Sequence, residues 1–467
     1  MWRNIDLFSV VYPLAIDRDA RRRVYTWWPK RSSWPAIPLE WTSLRTPRSA
    51  AGNHPVHWKS KGNDSLITRL TLDAGQSKRF EFGYLGYRFV RELAPIYATY
   101  AILIVDYGVS PLELSILLSA WSASAIVFEL PSGALADRLS RRWLLMSACL
   151  FKSACFFVWM LYPTFWGFLC GFVLWGLESA IRSGAEEALV YEAVQRERTG
   201  SHFERVFGRG AAAGSLGTGL AFLAGGYLVD SVGFDLVLVI SVVSPLLGAL
   251  LVWTMPDSGS AQRRPPKLSF ARTLASGIGS VLGSRFLLAV VAMAVLFTPI
   301  WGGVDEFLGV FLLEKRPVSI TFVGIVYAAA TGANAFAVVV AHRFVGGGLK
   351  RVSAIYGLAT VMLFGSVFFP GPFGALPLVI SLGLNGLASI LLDGLLQRAA
   401  DDATRATTAS VKGLMQSITG IGVLLLCGAL AGATDWHTAV LGVCVLAATL
   451  WVATGFLLAR TSWRQGN

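Results

Sequence analysis

Charge is what this chain has least of. Only 15% of its 467 residues are Asp, Glu, Lys or Arg, while 54% are hydrophobic; a soluble domain carries about 25% charged residues. That scarcity excludes a water-covered surface of ordinary composition and points to lipid as the solvent. A Cys-x-x-Cys pair is also missing. Cys149, Cys155, Cys170, Cys427 and Cys444 all lie in apolar runs and read as small packing residues, neither disulfides nor metal ligands. His54, His57, His202, His342 and His437 show no metal spacing. There is no GxxxxGK[ST] phosphate loop, no nucleophile elbow and no HExxH, which argues against ATP hydrolysis and the commonest hydrolytic chemistries. No metal, cofactor or catalytic residue is expected. Nothing near the start has the apolar core of a cleavable signal peptide.

What positive charge there is sits mostly at one end. The net charge is +12, and residues 1–80 hold 14 Lys/Arg against 6 Asp/Glu. A basic tail facing solvent or lipid headgroups fits this better than a nucleic-acid partner. Residues 1–83 are rich in Trp, Pro, Arg and Ser without helical or strand period, and are expected to be disordered or loosely membrane-associated. Trp27, Trp28, Trp34 and Trp41 stand in this arginine-rich tail, a composition suited to a membrane interface. No methionine follows Met1 until Met146, and whether the tail belongs to the mature protein stays open at this point.

Beyond residue 83 the chain is a series of apolar runs. Twelve can be marked, at 84–106, 112–133, 143–162, 164–190, 206–230, 235–254, 286–313, 319–341, 351–369, 373–396, 409–433 and 438–460. Each is near the roughly 20 residues that cross a bilayer, and a lipid-exposed backbone must satisfy its own hydrogen bonds, so each is expected to be a helix. Lys and Arg are confined to alternate gaps. One set of gaps holds Arg138, Arg141 and Arg142, then Arg196 to Arg209, the 263–285 stretch, Arg343 to Arg351, Arg398 to Lys412, and Arg460 with Arg464; the other holds only Lys315 and Arg316. Cationic turns stay cytoplasmic, so the chain is expected to be multi-pass in the cytoplasmic membrane with both termini inside.

The longest gap follows the sixth run and divides the chain into residues 84–255, a linker at 256–285, and residues 286–467. A repeat supports that division: Ala136-Asp137-Arg138 matches Ala341-His342-Arg343 at an offset of 205 residues. Duplicated halves with a substrate site between them mark secondary transporters. The expected fold is therefore an all-α membrane protein of twelve transmembrane helices in two six-helix pseudo-symmetric halves.

The stretch "GALADRLSRR" after the second run resembles the cytoplasmic signature of the major facilitator superfamily, over about residues 84–460. "GFVLWGLESAIRSGAEEALVYEA" is similar to its drug-efflux-like members. The resemblance implies that Gly133, Asp137, Arg138, Arg141 and Arg142 form a latch on the cytoplasmic gate, with Gly133 allowing close helix approach. Ser140 stands where glycine is common, and His342 replaces the acid in the second half. Two marks of the proton antiporters are absent: Phe172 stands where an arginine is usual, and 221–226 lacks the usual proline.

Ionisable residues inside an apolar span face a cavity or a partner, because each costs about 2.5–3.5 kcal/mol at mid-bilayer. Glu129, Gly133 and Asp137 follow at i, i+4, i+8 and form one stripe. Glu178, Arg182 and Glu186 repeat the same spacing as an acid–base–acid ladder, with Glu187 beside it. This ladder is a substrate contact or charge relay, or else a structural ion-pair series. Asp305 and Glu306, in "IWGGVDEFLGVF", are the candidates for carrying a proton, unless they pair with Lys315 or Arg316. Arg88, Arg91 and Glu92 read as interface anchors, and Lys152 needs a partner. Gly210 and Gly214 read as a packing face. Asn334, Asn385 and Gln416 read more readily as bonds between helices than as ligands.

The expected function is secondary active transport of a small organic molecule by alternating access, as proton-coupled efflux, with the proton as coupling ion and the protein a monomer. Proton-coupled or uncoupled uptake of a metabolite is the runner-up, and a non-transporting membrane receptor or scaffold a third reading. A membrane-embedded enzyme is disfavoured by the duplicated halves.

Overall fold

In the computed structural model the residues described are 74–136, 139–196, 203–255, 270–314, 318–369, 371–401 and 404–460. They are helical throughout. In chain order the α-helices are α1 (Ala74–Glu92), α2 (Tyr100–Asp106), α3 (Pro111–Ala136), α4 (Arg141–Leu161), α5 (Phe165–Arg196), α6 (Phe203–Val232) and α7 (Phe234–Thr254). After the linker come α8 (Phe270–Gly283), α9 (Arg285–Glu314), α10 (Ile320–Val340), α11 (Gly348–Phe368), α12 (Ala375–Ala399), α13 (Arg405–Ala433) and α14 (Trp436–Arg460).

Among the described residues, ten helices are long and apolar enough to cross a membrane. The two other expected spans are helical as well but differ in kind. The 84–106 run is broken into α1, a 3-10 turn at Pro95–Ala98, and α2. The 164–190 run lies in α5, whose Glu178, Arg182, Glu186 and Glu187 dilute its hydropathy. On the outside of the bundle Trp166, Phe336, Phe368 and Phe456 are largely exposed, an apolar surface far too extensive for water.

Local chemistry sets the helix ends. Ser110 and Glu113 form a capping box at α3: the Glu113 carboxylate accepts from Ser110 N at 2.9 Å while Ser110 Oγ accepts from Glu113 N at 3.3 Å. Pro111 follows at the first helical position, where its missing N–H is not needed. Ser319 caps α10 by accepting from Phe322 N at 3.1 Å. The break after α1 is repaired from α7. Pro95 interrupts the helical ladder, and the freed groups find serines: Ile96 N donates to Ser241 Oγ at 3.0 Å, and Ser244 Oγ donates to Val90 O at 2.6 Å. A non-helical backbone at membrane depth is stable only when its polar groups are met in this way.

Two boundaries differ from the sequence expectation. α1 begins at Ala74, ten residues before the expected span, because Phe80 is buried and holds the upstream turns against the bundle. The expected linker contains α8, which docks on α13 where Ser280 Oγ and Thr404 Oγ1 lie 3.1 Å apart. Residues 1–73 and 256–269, with their tryptophans and arginines, lie outside the described residues.

Helices α1–α7 pack chiefly on one another, as do α9–α14, and the two sets are joined principally by α3 with α13, α6 with α10, and α2 with α9. Glycines allow these seams. A Cβ on Gly226 would stand 2.5 Å from Ile320 O, and one on Gly428 would stand 2.7 Å from Pro111 O. Asp230, at the end of α6, accepts from Ile320 N at 3.3 Å and from Thr321 N at 2.7 Å, so α6 caps α10. All of these contacts lie at the end of the bundle away from the arginine-rich gaps. Gly210 and Gly214 serve packing within the first set, against Tyr84 and Arg88 of α1.

Candidate functional site

The buried charges of the first set form a single chain of contacts. Arg88 Nη1 meets Glu186 Oε1 at 2.7 Å, and Arg182 reaches Glu186 at 3.1 Å and Glu178 at 3.3 Å. Arg91 bonds both Glu178 and Glu92, and Lys152 Nζ lies 3.3 Å from Glu92 Oε2. Read in order the series is Arg88, Glu186, Arg182, Glu178, Arg91, Glu92, Lys152: strict alternation with a cation at each end. Four positive groups therefore face three negative ones. Two phenols complete the carboxylates, Tyr84 OH donating to Glu186 at 2.8 Å and Tyr97 OH to Glu92 at 3.3 Å. Alternation is what makes burial tolerable, since an ion taken out of water needs its opposite in contact.

Three helices supply this chain, and the i, i+4, i+8 ladder of α5 is its spine. The sequence reading of α5 therefore found the middle of the network. It missed the α1 contribution. Arg88, Arg91 and Glu92, expected at the interface, are buried, because the upstream extension of α1 places Arg88 several turns inside its helix. Lys152 finds its partner in Glu92, one helix away, and its ammonium sits 4.8 Å from the Tyr97 ring centroid and 5.9 Å from that of Trp175. The interrupted α1 is the signal that could have been read: a broken helix beside an intramembrane Lys is a common setting for a binding site. Glu187, next to the ladder, is exposed.

The chain borders a cavity of about 80 Å³ lined by Arg91, Glu92, Lys152, Glu178, Ser179 and Arg182 on one side and by Asp305, Glu306 and Tyr327 on the other, with Tyr97, Tyr100, Trp121, Trp175, Thr218 and Phe222 between. Asp305 and Glu306, adjacent in α9, are both buried. Tyr100 OH donates to Glu306, and Tyr327 OH donates to the backbone carbonyl of Asp305 at 2.9 Å. The aromatic residues form one cluster: Tyr97 stacks on Trp175 at 5.5 Å, and Tyr100 and Trp121 meet Trp175 edge-on at 6.2 and 6.3 Å. Lys315 and Arg316, the alternative partners for Asp305 and Glu306, lie outside the described residues.

The expected latch fares differently. Asp137 and Arg138 lie outside the described residues. Gly133 and Glu129 are exposed, and a Cβ on Gly133 would meet nothing within 4 Å. Among the described residues no close helix approach is made at Gly133, and the seams named above lie at the opposite end. Arg141 is buried and lies 3.6 Å from Glu192, and Arg142 donates to the Trp253 carbonyl; both tie α4 to neighbours in its own set. Gln416 joins helices, donating to Ala294 O at 2.8 Å, whereas Asn334 bonds back to Ala330 O in its own helix at 3.0 Å. Four of the five cysteines are buried and Cys170 is exposed.

Residues 81–426 match the sequence model of the Major Facilitator Superfamily. The chain belongs to this superfamily. It is thus a multi-pass membrane protein with the transporter fold of that superfamily. Among solved structures of this fold, the nucleoside transporter NupG aligns with 83% of the chain and 100% of its own, at TM-score 0.69 and 16% identity. A bacterial homolog of the human lysosomal transporter Spinster, in an inward-facing and unoccupied conformation, aligns with 84% of the chain and 98% of its own (TM-score 0.64, 14% identity). A POT family transporter in complex with 5-aminolevulinic acid aligns over 83% and 96% (TM-score 0.61, 12% identity). At such identities the likeness concerns fold alone. No curated protein matches the chain.

Proposed function

We propose that this superfamily member is a secondary active transporter that moves a small organic molecule by alternating access of two pseudo-symmetric six-helix halves, exporting it in exchange for protons. The observation that carries the reading is the cavity itself. It lies where α1, α4 and α5 face α9, between the helix sets, with buried charge on opposed walls. The seams that join the sets lie at the end away from the arginine-rich gaps. With those gaps cytoplasmic, the cavity belongs to a state closed to the outside. Asp305 and Glu306 carry the proton in this scheme, and the chain acts as a monomer in the cytoplasmic membrane. The Arg88-to-Lys152 chain holds α1, α4 and α5 as one body while the halves rock.

The test is reconstitution into liposomes loaded with candidate solutes and placed in a more acidic medium, internal acidification being read as solute leaves. Solute-dependent proton flux that disappears in Asp305→Asn or Glu306→Gln is the expected result. Solute flux unchanged by either substitution overturns proton coupling at α9. Uptake is the second reading, and Phe172 favours it. At the position where antiporters of the superfamily carry an arginine, Phe172 packs 4.9 Å from Trp159 and stacks on Trp175 at 6.1 Å. Accumulation rather than depletion of solute in energised cells decides for uptake.

A further inference from the structure

Trp159 and Trp301, both fully buried, have their indole N–H groups met: Trp159 Nε1 donates to Phe168 O at 3.2 Å and Trp301 Nε1 to Ser381 Oγ at 2.7 Å. Trp121, on the cavity, differs. Its N–H is buried, and no described residue accepts from it. Close packing fixes its place. A Cβ on Gly176 of α5 would stand 2.7 Å from Trp121 O, so α3 lies directly against α5, and the Trp121 ring meets that of Trp175 edge-on at 6.3 Å. A buried donor without an acceptor costs the desolvation of the group. Such a donor beside an open space is satisfied once an occupant of that space accepts from it.

Lys152 brings more donors to the same cavity. It is 2% exposed, and its ammonium carries three N–H groups. Glu92 Oε2, at 3.3 Å, is its one acceptor among the described residues, and the ring centroids of Tyr97 and Trp175 lie 4.8 and 5.9 Å away. Trp175 is thus the common neighbour of both donors, Lys152 near its ring and Trp121 edge-on to it. Tyr97 and Tyr100 continue the aromatic border.

We infer that this cavity, taken as the transport site, docks its solute through Lys152 Nζ and Trp121 Nε1. The group they recognise is an sp2 oxygen, of a carboxylate or a carboxamide, on a flat apolar body that lies against Tyr97, Tyr100 and Trp175. A carboxylate has two oxygens to offer and gains charge assistance from Lys152. A carboxamide offers one oxygen with two lone pairs. An amine offers no acceptor once protonated and leaves both donors unmet. The aromatic border supplies flat contact to the body of either solute.

The experiment titrates the purified full-length protein in detergent with benzoate, benzamide and benzylamine, which share one ring and differ in the polar group. Isothermal titration is expected to show benzoate or benzamide binding at least about 10-fold tighter than benzylamine. Trp121→Phe keeps a ring but removes the N–H. It should weaken the tighter probe about 3- to 10-fold, as for one lost hydrogen bond, and leave benzylamine within about 2-fold. That selective loss is not produced by general damage to the fold. Lys152→Gln should also weaken the tighter probe, and a larger loss for benzoate than for benzamide assigns the carboxylate. Tightest binding by benzylamine, acceptor binding unchanged by Trp121→Phe or by Lys152→Gln, or no binding by any of the three overturns the inference. Thr218→Trp fills the cavity and shows which reading has failed. Benzylamine binding that Thr218→Trp abolishes leaves the cavity as the transport site and removes only the acceptor assignment. Binding that survives Thr218→Trp removes both.

Discussion

The two helix sets bury their polar groups by different means. In α1–α7 the interior holds seven ionised side chains in alternation, from Arg88 to Lys152. In α9–α14, Asp305 and Glu306 apart, neutral groups do much of this work among the described residues. Trp301 Nε1 donates to Ser381 Oγ at 2.7 Å, which donates on to Ala359 O at 2.7 Å. Thr298 lies 3.2 Å from the Tyr356 hydroxyl, and the Phe297 ring stacks on Tyr356 at 4.6 Å. The ion pair of Lys412 with Asp393 sits nearer the surface. The residues that answer to the α5 ladder at the 205-residue offset include Leu391 and Leu392, both buried in apolar packing. The lesson is that two helix sets of one bundle can bury polar groups by different chemistry. The first set places its charged side chains in one continuous network, and the second brings Asp305 and Glu306 to the same cavity.

Breaking the charged set should cost most. Glu178→Gln leaves Arg91 and Arg182 short of a shared carboxylate, and about 3–5 kcal/mol of stability should be lost, as for removal of one partner from a buried pair; thermal unfolding in detergent measures it. Loss below about 1 kcal/mol would mean that water reaches the network. The neutral set should be more forgiving. Ser381→Ala strands the Trp301 indole N–H, and about 1–3 kcal/mol is expected in the same assay. A result equal to that of Glu178→Gln would erase the contrast between the sets.

The seam between the sets gives the next smaller effect. Asp230→Ala removes the cap that α6 places on α10, a change worth about 0.5–2 kcal/mol. The readout is the labelling of a cysteine introduced by Ser115→Cys, a fully buried site beneath Gly428, in a Cys170→Ser background. Labelling should accelerate about 2- to 30-fold as the seam opens more often, and an unchanged rate would assign Asp230 to surface capping alone. Smallest of all is Gly133→Ala. With open space around that position, stability should stay within about ±0.5 kcal/mol. A marked loss of transport in a stable Gly133→Ala protein would place the close approach of Gly133 in a different state of the cycle.

Hydropathy along the chain was enough to read lipid immersion and helical spans. Those properties follow from composition along the chain: each run must hydrogen-bond its own backbone, whatever its neighbours are. The acid–base–acid ladder of α5 was legible for the same reason, because i, i+4 spacing is a property of one helix.

Which charges meet was decided only by tertiary structure. Arg91, Glu92 and Lys152 come together with Glu178 through the depth and rotation of α1, α4 and α5, and no spacing within one helix encodes the angle at which another helix presents its side chains. The run 84–106 reads as one span in sequence, and neither its break at Pro95 nor the repair by Ser241 and Ser244 of α7 follows from it. The same holds for the placement of Asp305 and Glu306 across from Lys152. A periodic pattern tells which face of a helix is polar, and only packing tells what that face is turned toward.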